Sequence, residues 1–255
     1  MEIVPGIHRV DGVLGCTAYL LVDDDLTLVD TGLSWNGPRI LNYIKRIGGA
    51  PKDLARIVLT HGHPDHAGSA AWLRQATGAQ VLIHRGDTRM DADGTRWVHY
   101  VSQPVAFRRD VPLFHRLPID GLLKGSTTLP VLGGARVVHT PGHTPGSVCL
   151  HLPRLGVLIT GDTLLGHRRW LSRPLPLPGY DWGRYSESLR VVAGLEFDVL
   201  CGGHGIPIVG GASRHLHHMI EVGAMGSYLS NLRYRFMAII GVGETIAGKC
   251  SGSMR

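Results

Sequence analysis

Cysteine is scarce in this chain of 255 residues: Cys16, Cys149, Cys201 and Cys250 are scattered, and no Cys-x-x-Cys pair occurs. That disfavours a disulfide framework or a structural zinc knuckle and makes a reducing cytoplasmic compartment the expectation. No run of eighteen apolar residues appears, so no membrane span is expected. Residues 1–6, Met-Glu-Ile-Val-Pro-Gly, carry neither the basic start nor the apolar stretch of a secretory leader. Lysine is also rare. Only Lys45, Lys52, Lys124 and Lys249 contribute to the 26 basic residues; the rest are arginines spread along the chain. The net charge of +6 therefore forms no Lys/Arg stripe, and a nucleic-acid partner is not expected. No solenoid repeat is present. With 44% hydrophobic and 18% charged residues, the chain can bury a sizeable core. The residue in excess is histidine, at fifteen.

Short apolar strands alternate with Gly/Pro/Asp turns and a few helical stretches. Ala18–Val22 and Leu26–Val29 flank Asp23-Asp24-Asp25, which is hairpin chemistry. Ile40, Leu41, Ile44 and Ile47 have helical spacing and stop at Gly48-Gly49. Strands are expected at 57–59, 81–83, 135–138, 147–152, 157–159 and 199–200. Helices are expected over 68–76 and 182–193, and over most of 215–237. Residues 85–128 lose this rhythm and read as an insertion or cap. Their Trp97, Tyr100, Phe107 and Phe114 interleave with Arg96, Arg108, Arg109 and Arg116. The chain to residue 240 reads as one domain, and the Gly/Ser-rich stretch 241–255 as a poorly ordered tail.

One segment carries the chemistry. Thr60-His61-Gly62-His63-Pro64-Asp65-His66 follows the strand at 57–59 directly. His-x-His-x-Asp-His arises by chance roughly 0.003 times in a chain of this composition, so the pattern points to a metal site rather than a polar loop. A strand ending in a Gly/Pro loop can send alternate side chains into one cleft, with His61 and His63 on one metal and Asp65 and His66 facing a second. His143, Asp162 and His204 repeat the placement, each in a glycine-containing loop just past a strand.

Together these residues resemble the metallo-β-lactamase-fold hydrolase superfamily, from the Asp30-Thr31-Gly32 turn through His204. The resemblance implies an α/β (α+β) fold, an αββα four-layer sandwich of two mixed sheets flanked by helices, with a dinuclear metal site along one edge. It implies one metal held by His61, His63 and His143, a second held by Asp65, His66 and His204, Asp162 bridging the two, and Asp30 supporting the ligands from behind. Imidazoles and carboxylates without thiolate suit two Zn2+ ions, with manganese or iron as options. Such a pair can share a hydroxide at neutral pH, which Asp65 would aim before passing a proton to the leaving group. Hydrolysis of an ester-like bond is the expected reaction, on a small-molecule substrate, by an enzyme that could be a homodimer.

Lactonases of the family share His-x-His-x-Asp-His-Ala-Gly, matched by residues 61–68, and some add a tyrosine that polarises the carbonyl, for which Tyr180 or Tyr185 could serve. A lactone or carboxylic ester is the leading expectation. The glyoxalase II continuation after the bridging aspartate is absent, since Asp162 is followed by Thr-Leu-Leu-Gly-His. Thioester or phosphoester hydrolysis, iron-dependent persulfide dioxygenation, and β-lactamase or nuclease activity stand as alternatives. Trp97 and Phe107 are expected to meet the substrate from the cap.

Overall fold

The computed structural model describes residues 1–99, 117–167, 170–174 and 180–221. A seven-stranded mixed sheet contains β1 (Glu2–Val4), β2 (Ile7–Arg9), β3 (Tyr19–Val22), β4 (Leu26–Val29), β5 (Leu54–Val58), β6 (Gln80–His84) and, on its far edge, β9 (Gly121–Leu123). Strands β1 to β4 pair antiparallel, while β4, β5, β6 and β9 run parallel. Between β6 and β9, β7 (Thr88–Met90) and β8 (Arg96–Val98) form a separate hairpin. The second sheet has six strands in the order β10 (Thr128–Leu129), β11 (Ala135–His139), β12 (Val148–Leu152), β13 (Val157–Gly161), β16 (Val199–Gly202) and β17 (Ile208–Val209). A small hairpin of β14 (Leu165–His167) and β15 (Trp170–Ser172) lies between β13 and β16 in sequence.

Alternation of side chains along the strands generates the layers. Tyr19, Leu21, Val29 and Val58 of the first sheet pack with Val137, Leu150, Val157 and Ile159 of the second, forming the core between the sheets. The other face of the first sheet, with Leu20, Leu28, Ile57 and Val81, is covered by α1 (Gly37–Arg46) and α3 (Ala70–Thr77) through Ile40, Ile44 and Leu73. On the outer face of the second sheet, Cys149, Leu158 and Leu200 meet α4 (Trp182–Ala193) and α5 (Ala212–Glu221) through Leu189, Val192 and Leu216. The result is four layers, αββα. Both sheets are buried on both faces, which is why their strands read as nearly continuous apolar runs.

The helix expected over 68–76 is α3, which begins two residues later than expected, at Ala70, and ends at Thr77 before Gly78. A four-residue helix, α2 (Pro64–Ala67), precedes α3, and Gly68 and Ser69 separate them. A β-carbon at Gly68 would lie 2.6–2.7 Å from Pro64 O, Gly32 O and Ser34 N, and the Ser69 hydroxyl donates to Leu33 O at 2.6 Å. Backbone of the Asp30–Ser34 turn presses into this break, so the helix cannot run through it. Within the segment expected as an insertion, β9 instead extends the main sheet; with only Leu122 and Leu123 apolar, so short a strand has no readable period. Residues 100–116 lie outside the described residues, as do the tail and most of the helix expected over 215–237.

Candidate metal centre

Every candidate ligand stands just beyond a strand end, at one edge of the sandwich. Parallel strands β4 and β5 deliver Asp30 and the His61-x-His63 pair; parallel strands β13 and β16 deliver Asp162 and His204. His143 sits in the turn between β11 and β12. Side chains beyond the carboxyl ends of parallel strands line the crevice where α/β sheets bind ligands. Pro64 takes the first turn of α2, where its missing N–H costs nothing, and sets Asp65 and His66 on that turn. The two sheets are tied together at this edge: Val148 N donates to Thr60 O at 2.9 Å, Thr17 N to Gly203 O at 2.7 Å, and Tyr19 Oη to Gly202 O at 2.7 Å.

Two clusters result. In the first, His63 Nδ1 lies 3.0 Å from His61 Nε2 and 2.9 Å from His143 Nε2, and Asp162 Oδ2 is 3.4 Å from His143 Nε2. In the second, His66 Nε2 and His204 Nε2 are 3.3 Å apart, Asp65 Oδ2 lies 3.7 Å from His204 Nε2, and Asp162 Oδ1 is 3.3 Å and 3.2 Å from the two imidazoles. The two oxygens of Asp162 are thus divided, one toward each cluster. His61, His63, His66, His143 and Asp162 are buried; Asp65 and His204 are partly exposed and open the second cluster to solvent.

The donor set fits divalent cations. Each nitrogen–nitrogen contact takes one N–H and one lone pair, yet His63 Nδ1 faces two neighbouring rings at once. A cation accepts all the converging lone pairs, and nitrogens about 2.0–2.1 Å from a tetrahedral zinc lie roughly 3.3 Å from one another. Without a cation the charges adjust through protons. Burial, reinforced by His66, His63 and His143, holds His61 well below the usual imidazole range. Burial also disfavours the His66 cation, but Asp30 and Asp162 outweigh it and carry that pKa well above the usual range. Asp162 is pushed up by burial and more strongly down by His204 and His66, and stays ionised far into acid.

Asp30 orients this array from behind. Its Oδ1 accepts from Thr60 N, and its Oδ2 accepts from Thr60 Oγ1 and from His66 Nδ1, all at 2.8 Å. His66 is thereby turned so that Nε2 faces the second cluster. Thr60 Oγ1 also contacts His61 Nδ1 at 3.0 Å, so one buried carboxylate organises a ligand in each cluster. Asp30 adopts a left-handed φ of 59°, which aspartate tolerates better than most residues. Cys16 Sγ also lies within 4.8 Å of Asp30 and His66 donor atoms. Asp30 and His66 Nδ1 are already committed to each other, so this group lies behind the second cluster and forms no separate centre.

The aromatic candidates separate. The Tyr180 ring stands 6.1 Å from that of His143 at 83°, beside the first cluster. Tyr185 is fully buried and donates its hydroxyl to Thr163 O at 2.7 Å, beneath the loops carrying His143 and Asp162. Trp97 is on β8, with its indole donating to Asp91 Oδ2 at 2.6 Å within the hairpin. Phe107 lies outside the described residues. One residue not anticipated from the sequence is Asp87, fully buried after β6, which accepts hydrogen bonds from Gly62 N, Thr144 Oγ1 and Gly146 N, each at 2.7 Å. Burial raises its pKa, against these three bonds. Its signal was available: like the ligands, it is a polar residue just past an apolar strand, in Arg85-Gly86-Asp87.

Comparison with known proteins agrees with this architecture. The model of the metallo-β-lactamase superfamily matches residues 11–204. An uncharacterized protein of Mycobacterium leprae is 33% identical over 82% of this chain and 95% of its own length. A protein named as a probable metallo-hydrolase of Bacillus subtilis is 27% identical over 82% of this chain and 87% of its own. Among solved structures, a metallo-β-lactamase family protein of Thermus thermophilus shares the fold with a TM-score of 0.65 at 22% identity, over 94% of this chain and 84% of the other. A buried His/Asp array at the strand ends of an αββα sandwich, together with the match across residues 11–204, places this chain in the metallo-β-lactamase superfamily, as a metal-dependent hydrolase.

Proposed function

We propose that the protein is a dinuclear, zinc-dependent hydrolase of a lactone or carboxylic ester, acting on a small molecule in the cytoplasm. The observation that carries the dinuclear reading is the division of Asp162 between the two clusters, at 3.4 Å on one side and 3.2–3.3 Å on the other. His61, His63 and His143 would hold one ion, Asp65, His66 and His204 the other, and Asp162 would bridge them. Bound there, two cations supply an acidified water and Lewis-acid stabilisation of the attacking and leaving oxygens. Asp65, partly exposed beside His204, would be the carboxylate that accepts a proton from the attacking water and returns one to the leaving oxygen. Tyr180, beside His143, is placed to donate to a substrate carbonyl. No nucleic-acid partner is part of this reading, and a homodimer is compatible with it. Among the described residues no helix is long and apolar enough to cross a membrane.

A second reading is favoured by one observation. A hydroxyacylglutathione hydrolase of Anaeromyxobacter dehalogenans is 37% identical over 55% of this chain, which is 45% of that protein. Thioester cleavage is therefore the principal rival.

A panel of lactones, aryl esters, phosphotriesters, S-lactoylglutathione, a chromogenic cephalosporin, glutathione persulfide and a structured RNA, run with metal analysis, tests both. Close to two zinc equivalents with the oxygen ester or lactone fastest is expected. S-lactoylglutathione turning over fastest overturns the ester assignment. One iron with an empty second position overturns the dinuclear hydrolase in favour of the dioxygenase.

A further inference from the structure

We infer that Asp87 is a positioning residue: its carboxylate sets the separation of the two loops that present His61, His63 and His143, and so tunes the first metal position without touching any ligand side chain. The inference rests on reading those histidines as ligands of one ion.

The three ligands come from different sheets. His61 and His63 follow β5 of the seven-stranded sheet, and His143 lies between β11 and β12 of the six-stranded one. An ion held by all three needs that distance fixed before it binds. Asp87, following β6, is attached to the first sheet. Its Oδ2 accepts from Gly62 N, the residue between the two histidines, and from Thr144 Oγ1, the residue after His143. Its Oδ1 accepts from Gly146 N, so two of its three bonds cross from one sheet to the other. Thr144 Oγ1 is held in turn by Ser147 Oγ at 2.8 Å.

The surrounding glycines are explained by this junction. A β-carbon at Gly146 would lie 2.6 Å from Asp87 Cγ, one at Gly86 2.6 Å from Pro145 O, and one at Gly62 2.8 Å from His99 O. The backbones must approach this closely for one carboxylate to span both loops. Two backbone N–H groups and one hydroxyl also satisfy a carboxylate that is wholly removed from water. The second cluster has its own ties, through Thr17 N to Gly203 O and Tyr19 Oη to Gly202 O. Loosening Asp87 should therefore act on one metal position only.

The test uses the full-length protein loaded with zinc or cobalt(II). Stepwise affinities are measured by chelator competition, and cobalt absorption bands are assigned to the two clusters with His63→Ala and His204→Ala. Asp87→Asn places an amide NH2 against at least one of the three donors, Gly146 N in one orientation and Gly62 N with Thr144 Oγ1 in the other. It should weaken the first position roughly tenfold to a hundredfold and shift its cobalt bands, leaving the second position unchanged. Thr144→Val should give the same selective effect at roughly tenfold or less, and Thr144→Ser, which keeps the hydroxyl, should restore wild-type affinity. If Asp87→Asn does not fold, the Thr144 pair decides alone. Unchanged affinities and spectra in Asp87→Asn or Thr144→Val, or parallel weakening of both metals with an equally lowered melting temperature of the metal-free protein, would overturn the inference. A wild-type protein that takes up no metal in this assay would instead refute the metal-site reading beneath it.

Discussion

Replacing Asp30 by Asn tests whether one buried carboxylate orients the second cluster. The side chain keeps its shape, and asparagine accepts the left-handed φ of 59° as readily as aspartate, so the backbone is not disturbed. What changes is hydrogen-bond parity. Asp30 accepts three bonds at 2.8 Å, from Thr60 N, Thr60 Oγ1 and His66 Nδ1. If the amide turns its NH2 toward Thr60 N, two buried donors face each other, which costs about 1–3 kcal/mol. If it turns its NH2 toward His66, Nδ1 must present a lone pair, and the ring proton moves to Nε2, the atom that faces Asp162 and His204. Either outcome should weaken metal binding at the second cluster by about 10–100-fold. The metal-free protein should melt lower by roughly 2–12 °C, at about 2–4 °C per kcal/mol for a chain of this size. Chelator competition and thermal unfolding of metal-free and zinc-loaded protein measure the two effects. Wild-type affinity at both positions with an unshifted melting temperature would refute the orienting role of Asp30.

Three further predictions address neighbouring features. Tyr185→Phe should destabilise the protein by about 0.5–1.5 kcal/mol in denaturant titration by removing the bond to Thr163 O, whereas Tyr180→Phe should lower kcat on an ester at nearly unchanged stability; the reverse pattern would exchange their roles. Gly142→Ala should destabilise by about 3 kcal/mol or more, since φ is 137° and a β-carbon would lie 2.5 Å from Tyr185 N, Cα and Cβ; wild-type stability would show that the His143 turn is less tightly packed on α4. Burial, together with His139 and Arg85, lowers His84 to about 4, and burial alone lowers His167 to about 4. Both imidazoles are kept neutral in the folded chain while the unfolded chain protonates near 6.5. Their contribution is complete above pH 6.5 and is lost as pH falls toward 4. Denaturant midpoints at pH 7 and pH 5 should differ less in His84→Asn than in wild type, and an equal difference would remove His84 from that account.

Local order was legible because it depends on neighbours in sequence. Short apolar runs at Leu26–Val29 and Val157–Gly161, helical spacing through Trp182–Ala193, and histidines in a Gly/Pro loop after a strand can all be read from short windows. Those windows also mark His61, His63, Asp65, His66, His143, Asp162 and His204 as chemically alike. Windows of this kind have no reach between sheets. That Asp162 divides its oxygens between two clusters follows from the parallel pairing of β13 with β16 and from the face-to-face packing of the two sheets. Tyr180 and Tyr185 differ by five positions and look interchangeable in the sequence. Only the packing of α4 on the second sheet buries one beneath the site and leaves the other beside His143. Asp87 sits where the strand rhythm fails, and its meaning depends on Gly62, Thr144 and Gly146, the last two of which are 57 and 59 residues away. A carboxylate acquires that role when folding removes it from water and brings three donors to it from separate loops, a condition that exists only in three dimensions.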